Sequence, residues 1–134
     1  MLGDTQTILA GGPGGATNTL KKINQDSYGS EYLARGSVGE VRMKVRHSTE
    51  SNASVMSVPF ERHNVELTRV YYADGSTYLE DTYIVMSFTL RTPKTLAAGT
   101  TADWVHGLLH WIGNAALTGT ADDDRIADLV YWES

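Results

Sequence analysis

Val41-Arg42-Met43-Lys44-Val45-Arg46-His47-Ser48 alternates apolar and polar residues with a period of two, and that period decides the fold. Successive side chains of an extended strand point to opposite faces, so Val41, Met43 and Val45 share one side while Arg42, Lys44, Arg46 and Ser48 share the other. Two later segments repeat the pattern. In one, Val65 and Leu67 oppose Asn64, Glu66 and Thr68; in the next, Ile84, Met86, Phe88 and Leu90 oppose Tyr83, Val85, Ser87 and Thr89. Together they predict an antiparallel sheet with one greasy face to bury and one face left to water.

Working outward, Ala73-Asp74-Gly75-Ser76 joins the second and third segments, and Asp-Gly between strand-like runs signals a tight hairpin. The stretch from Glu50 to Glu61 is polar at first and contains Pro59, so it reads as a longer loop. Upstream, Thr5 to Ala10 and Ala16 to Ile23 flank Gly11-Gly12-Pro13-Gly14-Gly15, which has the form of a hairpin about a glycine-rich turn. A phosphate-cradling loop would need a following lysine-serine/threonine pair and a helix, and both are missing from the sequence pattern.

The period changes after residue 100. Thr101 and Asp103 are candidate caps for a helix whose apolar side carries Trp104, Val105, Leu108, Leu109, Ile112 and Ala115. After Thr118-Gly119-Thr120, the acids Asp122, Asp123 and Asp124 suit the positive end of a second helix continuing through Ile126, Leu129 and Val130. Strands followed by helices predict an α+β fold in one domain: an N-terminal hairpin over 1–24, a sheet over 25–91 and helices over 101–131.

A chain of 134 residues holds one ordinary core. With no cysteine, disulfides and thiolate metal sites are excluded, and stability must come from packing and association. The N-terminus lacks a basic stretch followed by an apolar run, and no segment nears the ~20 apolar residues of a membrane span, so a soluble, unprocessed protein with no membrane partner is expected. The net charge of -5 argues against nucleic acid only on average. From Thr101 onward there are six acids and one base, whereas residues 1–100 hold ten of each.

The polar sheet face carries a cationic row, Arg42, Lys44 and Arg46, beside amide and hydroxyl groups and the aromatic plane of Tyr83. Phosphate donors, base-edge partners and a stacking platform together suit RNA. Alternating bases also keep a strand soluble and discourage edge pairing, and Glu66 stands on the same face, so the residues alone leave both readings open.

The run Val41 to Thr49 resembles the central RNA-facing strand of single-stranded RNA bacteriophage (levivirus-type) coat proteins, with a basic residue followed by a short polar stretch. Tyr83-Ile84-Val85-Met86-Ser87-Phe88-Thr89-Leu90 is similar to that family's last strand, which opens with a base-stacking tyrosine. The order of hairpin, sheet strands and two helices also agrees over nearly the whole chain. The resemblance implies a five-stranded antiparallel sheet joined edge to edge in a homodimer with a continuous ten-stranded sheet, helices crossing onto the partner, and many dimers closing an icosahedral shell. It implies a virion protein, assembled in the bacterial cytoplasm, that binds genomic RNA or an operator hairpin and so represses translation. Arg42, Lys44, Arg46, Ser48, Asn64, Thr68, Tyr83, Val85 and Ser87 would face the RNA, and Trp104, Leu108 and Ile112 would enter the dimer interface. The chain departs from the best-known members at Val85, where they carry asparagine, and at Glu66, near an expected lysine. The same RNA hairpin is therefore not implied.

Other candidates reduce to structural roles. His106 and His110 are four apart on the helix, but no glutamate stands between them and no third ligand is evident, so no metal site is expected. His47 and His63 with Ser48 or Asp81 lack any nucleophile elbow or oxyanion motif, so neither enzyme activity nor a cofactor is expected. Asp122 to Asp124 lack the spacing of a calcium loop. Trp104, Trp111 and Trp132 suit a core or a subunit contact. The rival readings are a non-viral dimeric sheet module that binds RNA and a small α+β enzyme; particle size separates all three.

Overall fold

Each alternating segment forms a strand in the computed structural model, which describes residues 2–10, 15–50 and 59–113. The strands are β1 (Thr5–Ala10), β2 (Ala16–Asp26), β3 (Gly29–Arg35), β4 (Gly39–Glu50), β5 (Phe60–Tyr71) and β6 (Thr82–Pro93), followed by helix α1 (Ala98–Ile112). They form one sheet in the order β1-β2-β3-β4-β5-β6, and the pairs from β2 to β6 are antiparallel. The expected division into a hairpin and a separate five-stranded sheet is thus replaced, among the described residues, by six continuous strands. The reason lies in β2, which runs on to Asp26 and pairs with β3 through a bulge between Lys22 and Asn24.

The β4–β5 register places Met43 opposite Leu67 and Val45 opposite Val65, and the β5–β6 register adds Met86 and Phe88 to the same lines. Directly opposed residues share a face, so an apolar face results, crossed by Arg69 between Val41 and Ile84 and bordered by His47 and His63. Its buried part is Leu20, Tyr32, Val41, Met43 and Val45, with Ile8, Ala34 and Leu67 packed against it. Tyr32 is fully buried, and its hydroxyl donates to the Gly3 carbonyl at 3.0 Å, which removes the penalty of burying it unpaired. Toward β6 the apolar face opens: Ile84, Val65 and Met86 are exposed.

Three local expectations change. The connection after β5 is not a tight turn at 73–76 but spans 72–81, because Asp74 gathers the chain around its carboxylate. One oxygen accepts the Ser76 and Tyr78 N–H groups at 2.9 Å each. Gly75 takes the left-handed conformation this requires (φ 78°), and Tyr78 stacks on Tyr71 at 5.3 Å. The helix begins at Ala98 with Ala97 as N-cap, three residues before Thr101. The Thr100 and Thr101 N–H groups bond back to the Ala97 carbonyl, which places Thr101 inside the first turn instead of at the cap. β4 and β5 remain paired as far as Glu50 and Phe60, so the strands claim both ends of the expected 50–61 loop. The glycine turn at 11–14, the loop residues 51–58, Ala115, Trp132 and the second helix expected from Asp122 through Ile126, Leu129 and Val130 lie outside the described residues.

The chain divides into two compact units, one of Met1–Ile8 and Asn18–Thr95, the other of Leu9–Thr17 and Leu96–Ser134. The first contains every residue of the sheet face considered next.

Candidate nucleic-acid interface

Cross-strand register turns the polar positions of β4, β5 and β6 into rows. Glu40, Val70 and Tyr83 form the first; Arg42, Thr68 and Val85 the second; Lys44, Glu66 and Ser87 the third; Arg46, Asn64 and Thr89 the fourth. A fifth row, Ser48, Arg62 and Arg91, completes the face. All nine residues expected to face RNA therefore lie on one surface, brought together by strict alternation in three paired strands. Tyr83 is 66% exposed at one end, a free aromatic plane on the outermost described strand. The Thr89 hydroxyl donates to the Asn64 amide oxygen at 2.9 Å, which fixes that amide across the strands.

The cations of the face are not equivalent. Arg46 Nη1 is 2.7 Å from Asp26 Oδ2, and Lys44 Nζ is 3.6 Å from Glu31 Oε1. Lys44 also stands directly opposite Glu66. The Asp26 carboxyl is held below the usual carboxylate range, first by the Tyr28 N–H and then by the Arg46 guanidinium. No ion pair engages Arg42 among the described residues. Arg62 and Arg91 face each other directly on the same surface, with the Arg91 guanidinium 5.9 Å from the Phe60 ring centre.

Sequence reasoning misses Arg62 and Arg91, although stepping the same alternation back from Asn64 and on from Thr89 reaches both. It also misses the carboxylate of Asp26, which ends β2 and reaches Arg46 across β3, and that of Glu31, because β3 carries no clean alternation. In that strand, buried Ser30 sits on the apolar side and half-buried Leu33 on the polar side, which blurs the contrast that alternation needs.

On α1, Trp104 is 80% exposed, Leu108 is exposed and Ile112 half-buried, so the expected interface stripe is largely open. Trp111 is exposed as well. His106 and His110 are exposed, and no cluster of three metal-ligating side chains occurs among the described residues.

The family described as "Phage phiCb5, coat protein" matches residues 3–93. The bacteriophage EMS014 coat protein has a similar structure, with a TM-score of 0.73 at 15% identity over 99% of this chain and 98% of that one. A virus-like particle of bacteriophage EMS014 gives 0.62 at 19% identity over 90% and 81%. A virus-like particle of bacteriophage AVE019 gives 0.57 at 13% identity over 98% and 95%. These likenesses concern the fold. Comparison with curated proteins finds no match.

Proposed function

The chain belongs to the phage phiCb5 coat protein family, and on that premise we propose that it assembles from dimers into an icosahedral shell around single-stranded RNA held on the polar sheet face. Its capsid role is structural and non-enzymatic, and its place is the virion. The single observation that carries the RNA reading is the five-row face, on which cations, amide and hydroxyl groups and the exposed Tyr83 ring converge. Phosphate contacts would fall to Arg42, Lys44, Arg46, Arg62 and Arg91, base edges to Ser48, Asn64, Thr68 and Ser87, and stacking to Tyr83 with Val85 beside it.

The dimer reading draws on two open surfaces. β6 is an outer strand carrying exposed Ile84 and Met86 on its apolar side, and α1 carries Trp104 and Leu108 exposed. Pairing of β6 with its copy would continue the sheet and bring apolar surface under cover; an exposed edge of this kind otherwise invites aggregation. Assembly would take place in the bacterial cytoplasm, and occupation of an operator hairpin by the same face would repress translation.

The test is negative-stain electron microscopy of the protein expressed alone in bacteria, with absorbance at 260 and 280 nm read on the same fraction. Uniform spheres rich in nucleic acid are expected. Dimers or monomers free of nucleic acid, across several salt conditions, would overturn the packaging reading.

A further inference from the structure

His47 and His63 stand directly opposite each other on β4 and β5, and their Nδ1 atoms are 2.8 Å apart. The rings meet edge to face, with centroids 5.0 Å apart. On the far side of His63, Nε2 lies 3.3 Å from Glu61 Oε2. Neither imidazole belongs to the polar face, because both fall on the alternation of Val45, Val65 and Leu90. They line a cleft of about 150 Å³ with Tyr28, Ser48, Thr49 and Glu61, and Glu61 is the charged group of that lining.

The hydrogen bonds determine the tautomers of the neutral pair. A carboxylate only accepts, so His63 carries its proton on Nε2 and presents an Nδ1 lone pair. That lone pair accepts the His47 Nδ1–H. A carboxylate holding the outer nitrogen of an imidazole whose inner nitrogen bears a lone pair is the outer-sphere arrangement found behind metal-bound histidines, and here that lone pair is released once the His47 proton leaves. We infer that His47 and His63 form a cross-strand site for a divalent transition-metal ion of the copper(II) or nickel(II) class, with Glu61 positioning His63.

Geometry selects the class. Two metal–nitrogen bonds of about 2.0 Å at a right angle separate the nitrogens by roughly 2.8–2.9 Å, whereas a tetrahedral ion needs roughly 3.3 Å. The two nitrogens stand 2.8 Å apart as a hydrogen-bonded pair with their lone-pair directions facing each other, so the rings must turn toward the ion while keeping roughly the separation that a right angle needs. Binding requires the His47–His63 hydrogen bond to break and the His47 proton to move from Nδ1 to Nε2. Both rings stay neutral, no net proton is released, and two water ligands leave the ion. Water completes the remaining positions, since no third histidine or carboxylate of the described residues joins them.

Calorimetric titration of the full-length protein with copper(II) chloride tests the site. His106 and His110, four apart on α1, are a second pair able to take the ion, so the titration uses a His106→Gln/His110→Gln background. One ion per chain is expected there, with affinity falling at least about tenfold on adding His47→Gln or His63→Gln and about tenfold with Glu61→Gln. Unchanged affinity in both histidine variants would overturn the assignment. Electron paramagnetic resonance of the same background keeps the question decidable if those variants misfold: coupling to two imidazole nitrogens supports the site, and a spectrum without them overturns it.

Discussion

Asp26 Oδ2 holds Arg46 Nη1 at 2.7 Å, so a cation on the polar sheet face proposed to bind RNA is already neutralised within the chain. Asp26→Asn keeps an oxygen for the Tyr28 N–H but releases the guanidinium. RNA affinity is expected to rise about two- to fivefold at low salt, and the salt dependence of log affinity to steepen by about 0.7, the increment for one more phosphate on a single strand. Fluorescence anisotropy over roughly 50–200 mM salt measures both. An unaltered slope would mean that Arg46 reaches phosphate without leaving Asp26.

Acid should act through the same carboxylate and through Asp74, whose pKa is lowered first by the Tyr78 N–H and then by the Ser76 N–H. A group whose folded pKa is depressed binds protons less readily when folded. Its stabilisation is therefore complete above the ordinary aspartate value of about 3.9 and is lost as pH falls through the lower folded value. Replacing Asp26 and Asp74 by asparagine should lower the melting temperature at neutral pH and make no difference at about pH 2. Scanning fluorimetry at the two pH values reads this directly; a gap that persists in acid would assign the effect to packing.

How far the sequence is legible follows from which forces have a local signature. Period-two alternation is local, so the faces of β4, β5 and β6 are readable from the residues alone. Register is not local, and register is what puts Arg62 beside Arg91 and His47 beside His63. The Asp74-Gly75 pair announces a turn correctly as to place, but the Asp74 side chain recruits Tyr78, four residues on, and makes the connection longer than the dipeptide implies. The helix start misleads because Thr101 and Asp103 are good cap residues, while the chain enters α1 at Ala97 without a side-chain cap. β3 escapes notice because its buried positions include Ser30 and its polar side includes Leu33.

Stacking and phosphate contact are separable by their salt dependence. Tyr83→Ala is expected to weaken RNA binding by about 1–3 kcal/mol with the salt slope unchanged, since an aromatic plane contributes no counterion release. Arg62→Gln should weaken binding and also flatten the slope by about 0.7. Anisotropy titrations of both variants, with dimer content checked by light scattering, distinguish the roles. If Tyr83→Ala leaves affinity unchanged, the tyrosine is not in the site; if Arg62→Gln leaves the slope unchanged, phosphate does not reach the fifth row.

Gly39 opens β4 opposite Tyr71 and is buried, and a Cβ built there would run into the Val70 carbonyl oxygen of β5. The obstacle is backbone, and it cannot rotate away as a side chain can. Its φ is not in the left-handed region, so the demand for glycine is one of space alone. Gly39→Ala should therefore part β4 from β5 at the row where Glu40, Val70 and Tyr83 meet, at a stability cost of about 1–3 kcal/mol, as for other overpacked sites. Gly3→Ala, with nothing within 4 Å of the added carbon, should be neutral. Urea unfolding of both proteins decides the matter. A shifted midpoint for Gly39→Ala, with Gly3→Ala unmoved, is the expected result. Equal midpoints would mean that the strands separate at this pair without loss, and that the Tyr83 end of the face is held by β6 instead of β4.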